Sequence, residues 1–255
     1  MPENKIQMID RLVAILDCFT LDKPALGVRE VARTTGLSSS TAGRIMAYMK
    51  DVGMLNQDPE NQLYMMGSKM LAWAGIYTVT SDVRAIALPV MVRLQEKTRE
   101  TISLYVLEGN ERVCVERFES PETVRIVARV GRRIPLYAGS AGKVFLAFMP
   151  EERREEILDT IEMKAMTKRT ITDPDVLREN CLRIRKQGYA TSHGEWIIDA
   201  AGTAAPIFNI HGNVIAAISI SGPAQRFDKA KMKEMSQLLL KETRTISQEL
   251  GYYAR

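Results

Sequence analysis

Few residues that could do acid–base or nucleophilic chemistry occur in this sequence, and most of them are isolated. There are two histidines, of which His211 lies in a predicted turn and His193 lies two residues before Glu195. That pair could act as a general acid and base, so an enzyme using His193 and Glu195 is the alternative function. The sequence contains no nucleophile elbow, HExxH zinc motif, P-loop or dinucleotide fingerprint. Its chemistry therefore argues against an enzyme.

A stronger candidate for binding chemistry is the segment Gly139-Ser-Ala-Gly-Lys143. It lacks the spacing of a phosphate-binding loop, but it predicts a glycine-bearing turn that opens a helix. The free N–H groups and the dipole of a helix start favour a carboxylate or a phosphate. A tight turn without a ligand is the alternative. Lys143 is expected to be a helix-surface or structural residue.

Two hydroxyl side chains offer a second polar group. Ser219 and Ser221 alternate with Ile218 and Ile220, so they face the same side of a predicted strand. They could line a polar pocket or be satisfied by neighbouring groups. Basic residues also cluster between positions 125 and 133, where we expect a solvated surface: Arg125, Arg129, Arg132 and Arg133.

Cysteine usage and composition indicate a protein of the cytoplasm. Cys18, Cys114 and Cys181 are an odd number without a CxxC motif, which is typical of a reducing compartment and gives no structural metal or cofactor site. A redox sensor through Cys114 or Cys181 is a further alternative, although neither has an activating neighbour in the sequence. No apolar run approaches the roughly 20 residues that cross a bilayer, and the first ten residues do not resemble a secretory signal.

The elements that would position a DNA-binding surface begin with Val28–Asp51. This segment predicts two short helices joined by a tight turn at Gly36, the second beginning at Ser38 or Ser39. In the second helix Ile45, Met49 and Val52 recur at helical spacing and form one buried face. Two helices around a glycine-containing turn are typical of a helix-turn-helix, with an ordinary surface hairpin as the alternative.

The opposite face of the second helix is polar and carries small residues on both sides of Arg44, so it could enter a groove of DNA. Residues 1–76 contain eight Lys or Arg and eight Asp or Glu, and the whole chain has a formal charge of +4. If the segment binds DNA, its positive charge must therefore be concentrated on one face. The residues that share this face are Ser40, Gly43, Arg44, Ala47 and Lys50.

A β-hairpin is predicted after this helix, with Met54–Gln57 and Gln62–Met65 around a turn at Asp58–Asn61. Before it, Ile6, Ile9, Val13 and Leu16 mark an amphipathic first helix. Three helices followed by a hairpin predict a winged helix-turn-helix domain over residues 1–67.

The rest of the chain predicts a second domain of the α+β class. Helical patterns at residues 68–82 and from Val83 to Arg99 contain no flexible linker composition, so residues 68–82 are expected to form a helical linker to a domain at 83–255. Strands are predicted at 101–107, 112–118, 123–130, 189–192, 203–209 and 214–221, with helices at 141–148, 151–161, 173–186 and 229–250. Strands, then helices, then strands favour a mainly antiparallel sheet.

Along nearly its whole length the sequence resembles the IclR family of bacterial transcriptional regulators. In the first domain the matching segments are Glu30-Val-Ala32, Thr35-Gly-Leu37, Ser40-Thr41, Arg44, Gly53-Met-Leu55 and Tyr64-Met-Met-Gly67. In the second they are Gly131-Arg-Arg-Ile-Pro-Leu136, Ala141-Gly-Lys143, Leu146-Ala147, Gly188-Tyr189, Ala204-Ala-Pro-Ile207 and Ala216-Ala-Ile-Ser-Ile-Ser221. Each segment alone is weak, but their order and spacing are specific together.

The resemblance implies an N-terminal winged helix-turn-helix, a helical linker and a GAF/PAS-like α/β effector-binding domain. It also implies a homodimer or homotetramer that binds a palindromic operator. The effector residues that it implies here are Ile126, Ile134, Gly139, Ser140, Ala141, Gly142, Ser192, Glu195, Ala200, Gly202, Ser219 and Ser221. Relatives often have a denser acidic run at 192–195, where only Glu195 keeps that character, so the polar end of this pocket is expected to differ.

The predicted function is a DNA-binding transcriptional regulator, such as a repressor, of a neighbouring catabolic operon. Its operator binding would respond to a small organic acid. Residues of the second helix would meet bases and phosphates, and two residues of the wing would reach the flanking backbone. The DNA-binding residues predicted are Ser38, Ser39, Ser40, Thr41, Arg44, Tyr48, Lys50, Asn61 and Gln62. No catalytic residue, metal, cofactor or membrane is expected.

Overall fold

The computed structural model describes residues 7–20, 22–79, 82–126 and 129–253. The chain divides into two compact units, Met1–Thr80 and Ser81–Arg255. Within the described ranges, no helix combines the length and the apolar character that a membrane span requires.

The N-terminal unit contains helices and a small antiparallel sheet. In chain order its elements are α1 (Gln7–Asp17), β1 (Ala25–Leu26), α2 (Val28–Thr35), α3 (Ser39–Asp51), β2 (Leu55–Gln57), β3 (Tyr64–Met66) and α4 (Lys69–Val79). The strand order is β1-β3-β2. The predicted helix-turn-helix and hairpin are confirmed.

One apolar core holds this unit together. Ile15 of α1, Val31 of α2 and Met46 of α3 are buried in it together with Leu55 and Tyr64 of the hairpin. Strand β1 was not predicted, because its two residues are too short to show an alternating pattern. It pairs with β3 and thereby fastens the chain before α2 to the wing. Ile6, predicted for the first helix, lies outside the described residues.

The segment predicted as a helical linker, residues 68–82, contains α4 of the N-terminal unit, and its linker role stays a prediction. Helix α4 ends at Val79 and the next helix begins at Asp82; residues 80 and 81 of the predicted linker lie outside the described residues.

The C-terminal unit has helices on both faces of one sheet. Its elements are α5 (Asp82–Thr98), β4 (Thr101–Glu108), β5 (Glu111–Phe118), β6 (Arg133–Pro135), α6 (Ser140–Phe148), α7 (Glu151–Thr160), α8 (Pro174–Gln187), β7 (Ala190–His193), β8 (Ala200–Phe208), β9 (Val214–Pro223) and α9 (Lys229–Glu249). The strand order is β6-β5-β4-β9-β8-β7, and every neighbouring pair is antiparallel. The α+β class with a mainly antiparallel sheet is confirmed.

Alternation along the central strands sends side chains to two separate cores. Ala204 and Ala217 pack with Phe145 of α6 on one face, where α7 and α8 also lie. Their neighbours Ala205 and Ile218 face the other core, which α5 and α9 cover. The sheet is therefore buried on both sides, and the start of α6 lies at one of them.

The strand predicted at 123–130 is wrong for the residues that the structure describes. Val127 and Ala128 lie outside them, residues 123 and 124 form bends, and residues 125 and 126 have no regular secondary structure. Two carbonyl groups of this segment bond to side chains: Val124 O accepts from Arg226 Nη1 at 2.9 Å and Ile126 O accepts from Thr101 Oγ1 at 3.0 Å. The edge position is taken instead by β6, which pairs with β5.

Candidate DNA-reading helix and candidate effector pocket

The turn between α2 and α3 is set by one glycine and one serine. Gly36 ends α2 in the left-handed conformation, with φ of 71°, which a side chain would strain. Ser38 caps α3, because its hydroxyl accepts the backbone N–H of Thr41 at 3.2 Å. The Ser38 hydroxyl also bonds to that of Thr41 at 2.8 Å. Ser38 and Thr41 thus stabilise the helix start as well as being predicted DNA contacts.

Helix α3 presents one buried and one solvent-exposed face. Ala42, Ile45, Met46 and Met49 are buried, whereas Val52, predicted for that face, is half-buried. The exposed side chains are Ser39, Ser40, Arg44, Tyr48, Lys50 and Asp51, and Tyr48 is 67% exposed.

Gly43, the residue before Arg44, is half-buried. A Cβ built on it would lie 3.4 Å from Val28 Cγ1, in ordinary contact with α2. The side chains that protrude beside it are polar or aromatic, which is the surface that a groove of DNA accepts.

The predicted wing contacts lie in the exposed turn between β2 and β3. Asn61 Nδ2 donates to Asp58 Oδ2 at 2.8 Å, and Gln62 Nε2 donates to the Pro59 carbonyl at 2.8 Å. Gln62 has a positive φ of 61°. Both side chains already stabilise the turn, so a contact with DNA would have to share or replace these bonds.

A pocket opens at the start of α6, on the face of the sheet that α6 covers. Its volume is about 90 Å³. Ten of the twelve predicted effector residues line it: Ile126, Ile134, Gly139, Ser140, Ala141, Ser192, Ala200, Gly202, Ser219 and Ser221. The structure thus brings together residues that are up to 95 positions apart in the sequence (126 to 221).

The other two predicted residues have structural roles beside the pocket. A Cβ on Gly142 would overlap the Leu136 carbonyl and the Arg112 guanidinium, so this glycine is needed for close packing. Glu195 is buried; it pairs with Lys143 Nζ and accepts the Gly139 N–H at 3.0 Å. Gly142 and Glu195 therefore do not line this pocket, and a role for them in effector binding stays a prediction.

The carboxylate of Glu195 already occupies part of the start of α6. One of the N–H groups expected to bind an anion, that of Gly139, already bonds to the carboxylate of Glu195. The N–H groups of Ser140, Ala141 and Gly142 follow it, before Lys143 N makes the first bond back to Gly139 O. Lys143 is a buried structural residue whose partner comes from a distant loop.

Several lining residues were not predicted, and two of them are arginines. The additional residues are Tyr105, Arg112, Arg132, Trp196, Ile197 and Ala201. Arg112 is opposite Ile134 in the β5–β6 pair, and it shares its strand face with buried Cys114. This alternation along β5 was the sequence signal that could have placed Arg112 in the pocket. Exposed Arg132 lies over the Trp196 ring, 5.1 Å from its centroid, at the mouth.

Arg112 is buried and only partly satisfied. Its Nη1 donates to the Pro135 carbonyl at 3.2 Å and also to the Ala138 carbonyl, and its guanidinium lies 5.3 Å from the Tyr105 ring centroid. Its Nε has no hydrogen-bond partner among the described residues. Burial lowers the pKa of Arg112 and raises the pKa of Tyr105. Tyr105 is consequently a neutral phenol beside a buried cation.

The acid–base pair of the alternative enzyme does not form. The carboxylate oxygens of Glu195 bond to Lys143 and Gly139, while His193 is exposed at the end of β7. In the part of the chain that the structure describes, no hydrogen bond joins His193 to Glu195. Burial also raises the pKa of both Cys114 and Cys181 to about 11, which disfavours a reactive thiolate.

Comparison with known proteins agrees with both halves of this description. The family model described as "IclR helix-turn-helix domain" matches residues 8–59, and that described as "Bacterial transcriptional regulator IclR C-terminal" matches residues 76–248. A relative from Bacillus subtilis (strain 168), the HTH-type transcriptional regulator KipR, is 32% identical over 98% of this chain and 99% of its own length.

Two solved structures are similar over the whole fold. The Thermotoga maritima IclR has a TM-score of 0.80 and 31% identity, covering 97% of this chain and 100% of that one. An IclR homologue from Microbacterium hydrocarbonoxydans, complexed with 4-hydroxybenzoate, has a TM-score of 0.85 and 32% identity, covering 95% and 98%. The C-terminal family model and the Bacillus relative are named as transcriptional regulators, not as enzymes. The chain belongs to the IclR family of bacterial transcriptional regulators.

Proposed function

We propose that this DNA-binding regulator binds a palindromic operator through α3 of two or more copies, and that a small organic acid in the pocket controls this binding. The observation that carries the proposal is the combination of an exposed polar face on α3 with a separate, partly enclosed pocket at the start of α6. The target would be a catabolic operon near its own gene, and the site of action the cytoplasm.

The charge of the N-terminal unit supports assembly as a dimer or tetramer. Residues 1–76 have equal numbers of acidic and basic side chains, and the exposed face of α3 carries only Arg44 and Lys50 as cations. Asp51 ends the same helix, exposed, and reduces the local positive charge further. One copy should thus bind weakly, and two copies at a fixed half-site spacing would add their contacts.

The pocket supports an acid as the effector. Its start-of-helix N–H groups and the buried Arg112 favour negative charge, while Ile126, Ile134 and Trp196 supply an apolar wall. The Microbacterium relative is complexed with an aromatic acid, 4-hydroxybenzoate. The acid would change operator affinity only as far as it binds better to one conformation of the regulator than to another.

Nuclease protection of the DNA upstream of the neighbouring operon tests DNA binding. We expect a protected palindrome with the wild-type chain and none with Arg44→Ala, since losing a base contact costs about 1–3 kcal/mol in each half-site. Arg183→Ala is the matched control, because Arg183 is also exposed but lies on α8 in the C-terminal unit.

The salt dependence separates specific from general contacts. The logarithm of the binding constant should fall by about 0.9 per neutralised phosphate for each tenfold rise in salt. Operator affinity retained in a folded Arg44→Ala variant would contradict the role of Arg44, and no protected palindrome at low salt would contradict the proposed function.

A further inference from the structure

The pocket floor contains one more buried positive charge than buried negative charge. Arg112, Lys143 and Glu195 are 4%, 2% and 7% exposed. Glu195 uses one oxygen for Lys143 and the other for the N–H of Gly139. Among the described residues no carboxylate forms a salt bridge with Arg112, and neutral Tyr105 cannot supply the missing charge.

The position of Arg112 makes this excess charge unfavourable without a ligand. Its Nη2 lies 3.1 Å from where a Cβ of Gly139 would be, so the guanidinium is against the first turn of α6. A helix start carries partial positive charge, and a cation beside it is destabilised. Among the residues that the structure describes, the buried Arg112 Nε finds no acceptor, which adds a further cost.

We propose that Arg112 and the start of α6 together bind the carboxylate of a monoanionic effector, and that Arg112 is the residue which selects acids over neutral molecules. This deepens the proposed function, because it takes the pocket at α6 as the effector site. One carboxylate would balance the excess charge, accept from the free donor of Arg112, and occupy the positive end of the helix. Serine hydroxyls at 140, 219 and 221 would bind a hydroxyl or oxo group next to the carboxylate.

The volume limits what the enclosed part can hold. A cavity of roughly 150 Å³ accommodates benzene, so the volume of about 90 Å³ here fits about four non-hydrogen atoms. These would be the carboxylate and the carbon that bears it. The remainder of a larger acid would extend past Trp196 and Arg132 at the mouth.

Matched acid and amide ligands test the charge preference. The probes are lactate against lactamide, and 4-hydroxybenzoate against 4-hydroxybenzamide. Binding to the full-length chain is followed by Trp196 fluorescence in a Trp73→Phe background, since the sequence has two tryptophans. We expect the wild-type pocket to prefer at least one acid over its amide by about 10- to 100-fold.

Arg112→Gln should bring this acid-to-amide ratio close to one, whereas Arg112→Lys, which keeps the charge, should retain much of it. Glutamine removes the charge and keeps one neutral N–H donor at about the position of the arginine Nε. The control is Arg154→Met, which removes another buried arginine, one paired with Glu151 and Glu155 and absent from the pocket lining. It should leave the ratio unchanged.

A purely structural role for Arg112 would weaken acid and amide together, and an unchanged ratio in folded Arg112→Gln overturns the proposal. Equal binding of acid and amide by the wild type overturns it even if Arg112→Gln fails to fold. If neither acid binds while the operator footprint is intact, the Arg112 assignment fails and DNA binding stands. Loss of the footprint with acid binding retained would instead contradict the proposed function alone.

Discussion

The buried charges at the start of α6 predict that removing either partner of the Lys143–Glu195 ion pair lowers the free energy of unfolding by a different amount. Glu195→Gln leaves the Lys143 ammonium and the Arg112 guanidinium buried together without a carboxylate. Lys143→Met leaves the Glu195 carboxylate with the Gly139 N–H and with Arg112 nearby. The positive end of α6 also favours that carboxylate.

Breaking a buried ion pair so that charge remains uncompensated costs about 3–5 kcal/mol, and we assign this range to Glu195→Gln. Lys143→Met should cost less, about 1–3 kcal/mol, because the remaining carboxylate keeps a hydrogen bond. For a unit of this size each kcal/mol lowers the melting temperature by about 2–4 °C, so Glu195→Gln should lower it by about 6–20 °C.

Urea unfolding of the full-length chain measures the change in the free energy of unfolding for Glu195→Gln and for Lys143→Met. Trp196 emission in the Trp73→Phe background reports the C-terminal unit, because Trp196 belongs to it. Glu162→Gln is the control, since Glu162 pairs with Lys164 on the surface and should cost less than about 0.5 kcal/mol. A Glu195→Gln variant as stable as the wild type, or less destabilised than Lys143→Met, would refute the charge balance described here.

Two further predictions concern packing and thiol chemistry. Gly142→Ala should destabilise the chain by about 1–3 kcal/mol and abolish acid binding, because its Cβ has no space beside Leu136 and Arg112. Gly43→Ala is the control and should not destabilise the chain, since its Cβ makes only ordinary contact with Val28. Equal melting curves for the two variants would contradict this prediction. At about pH 8 the pKa values of about 11 keep Cys114 and Cys181 as neutral thiols, so mass spectrometry should find them unalkylated by iodoacetamide in the folded chain. Labelling should increase when the chain unfolds or as the pH approaches those values. Fast labelling of the native chain at about pH 8 would restore the redox-sensor alternative.

Local patterns were enough to predict most of the elements and much of the pocket. The spacing of Gly139–Lys143 indicated the helix start, and the alternation of Ser219 and Ser221 indicated a shared strand face. The apolar walls came from the family resemblance. The helix-turn-helix was visible because Gly36 and the buried face of α3 are both encoded within a few residues.

The role of Glu195 could not be predicted in this way. It depends on a loop that brings residue 195 to Gly139 and Lys143, which are more than 50 positions earlier. Thr167 and Thr170 hold that loop by donating to the carbonyls of Gly194 and Glu195. No periodic pattern encodes such a contact.

Arg112 was missed for a related reason. A charged residue on an alternating strand normally indicates the solvent face, but both faces of this sheet are covered. The short strands β1 and β6 were missed because two or three residues show no period. The β-branched segment near Val124 suggested a strand, although its carbonyls bond to side chains instead.

The most direct test of effector control is the operator affinity of the full-length chain, measured by fluorescence anisotropy of a labelled operator fragment with and without saturating acid. Trp196 fluorescence in the same samples establishes that the acid is bound. We predict that the acid changes the operator Kd by about 5- to 150-fold, and that Arg112→Gln loses this response while still binding the operator without acid. An operator Kd that stays the same while Trp196 reports a filled pocket would contradict effector control.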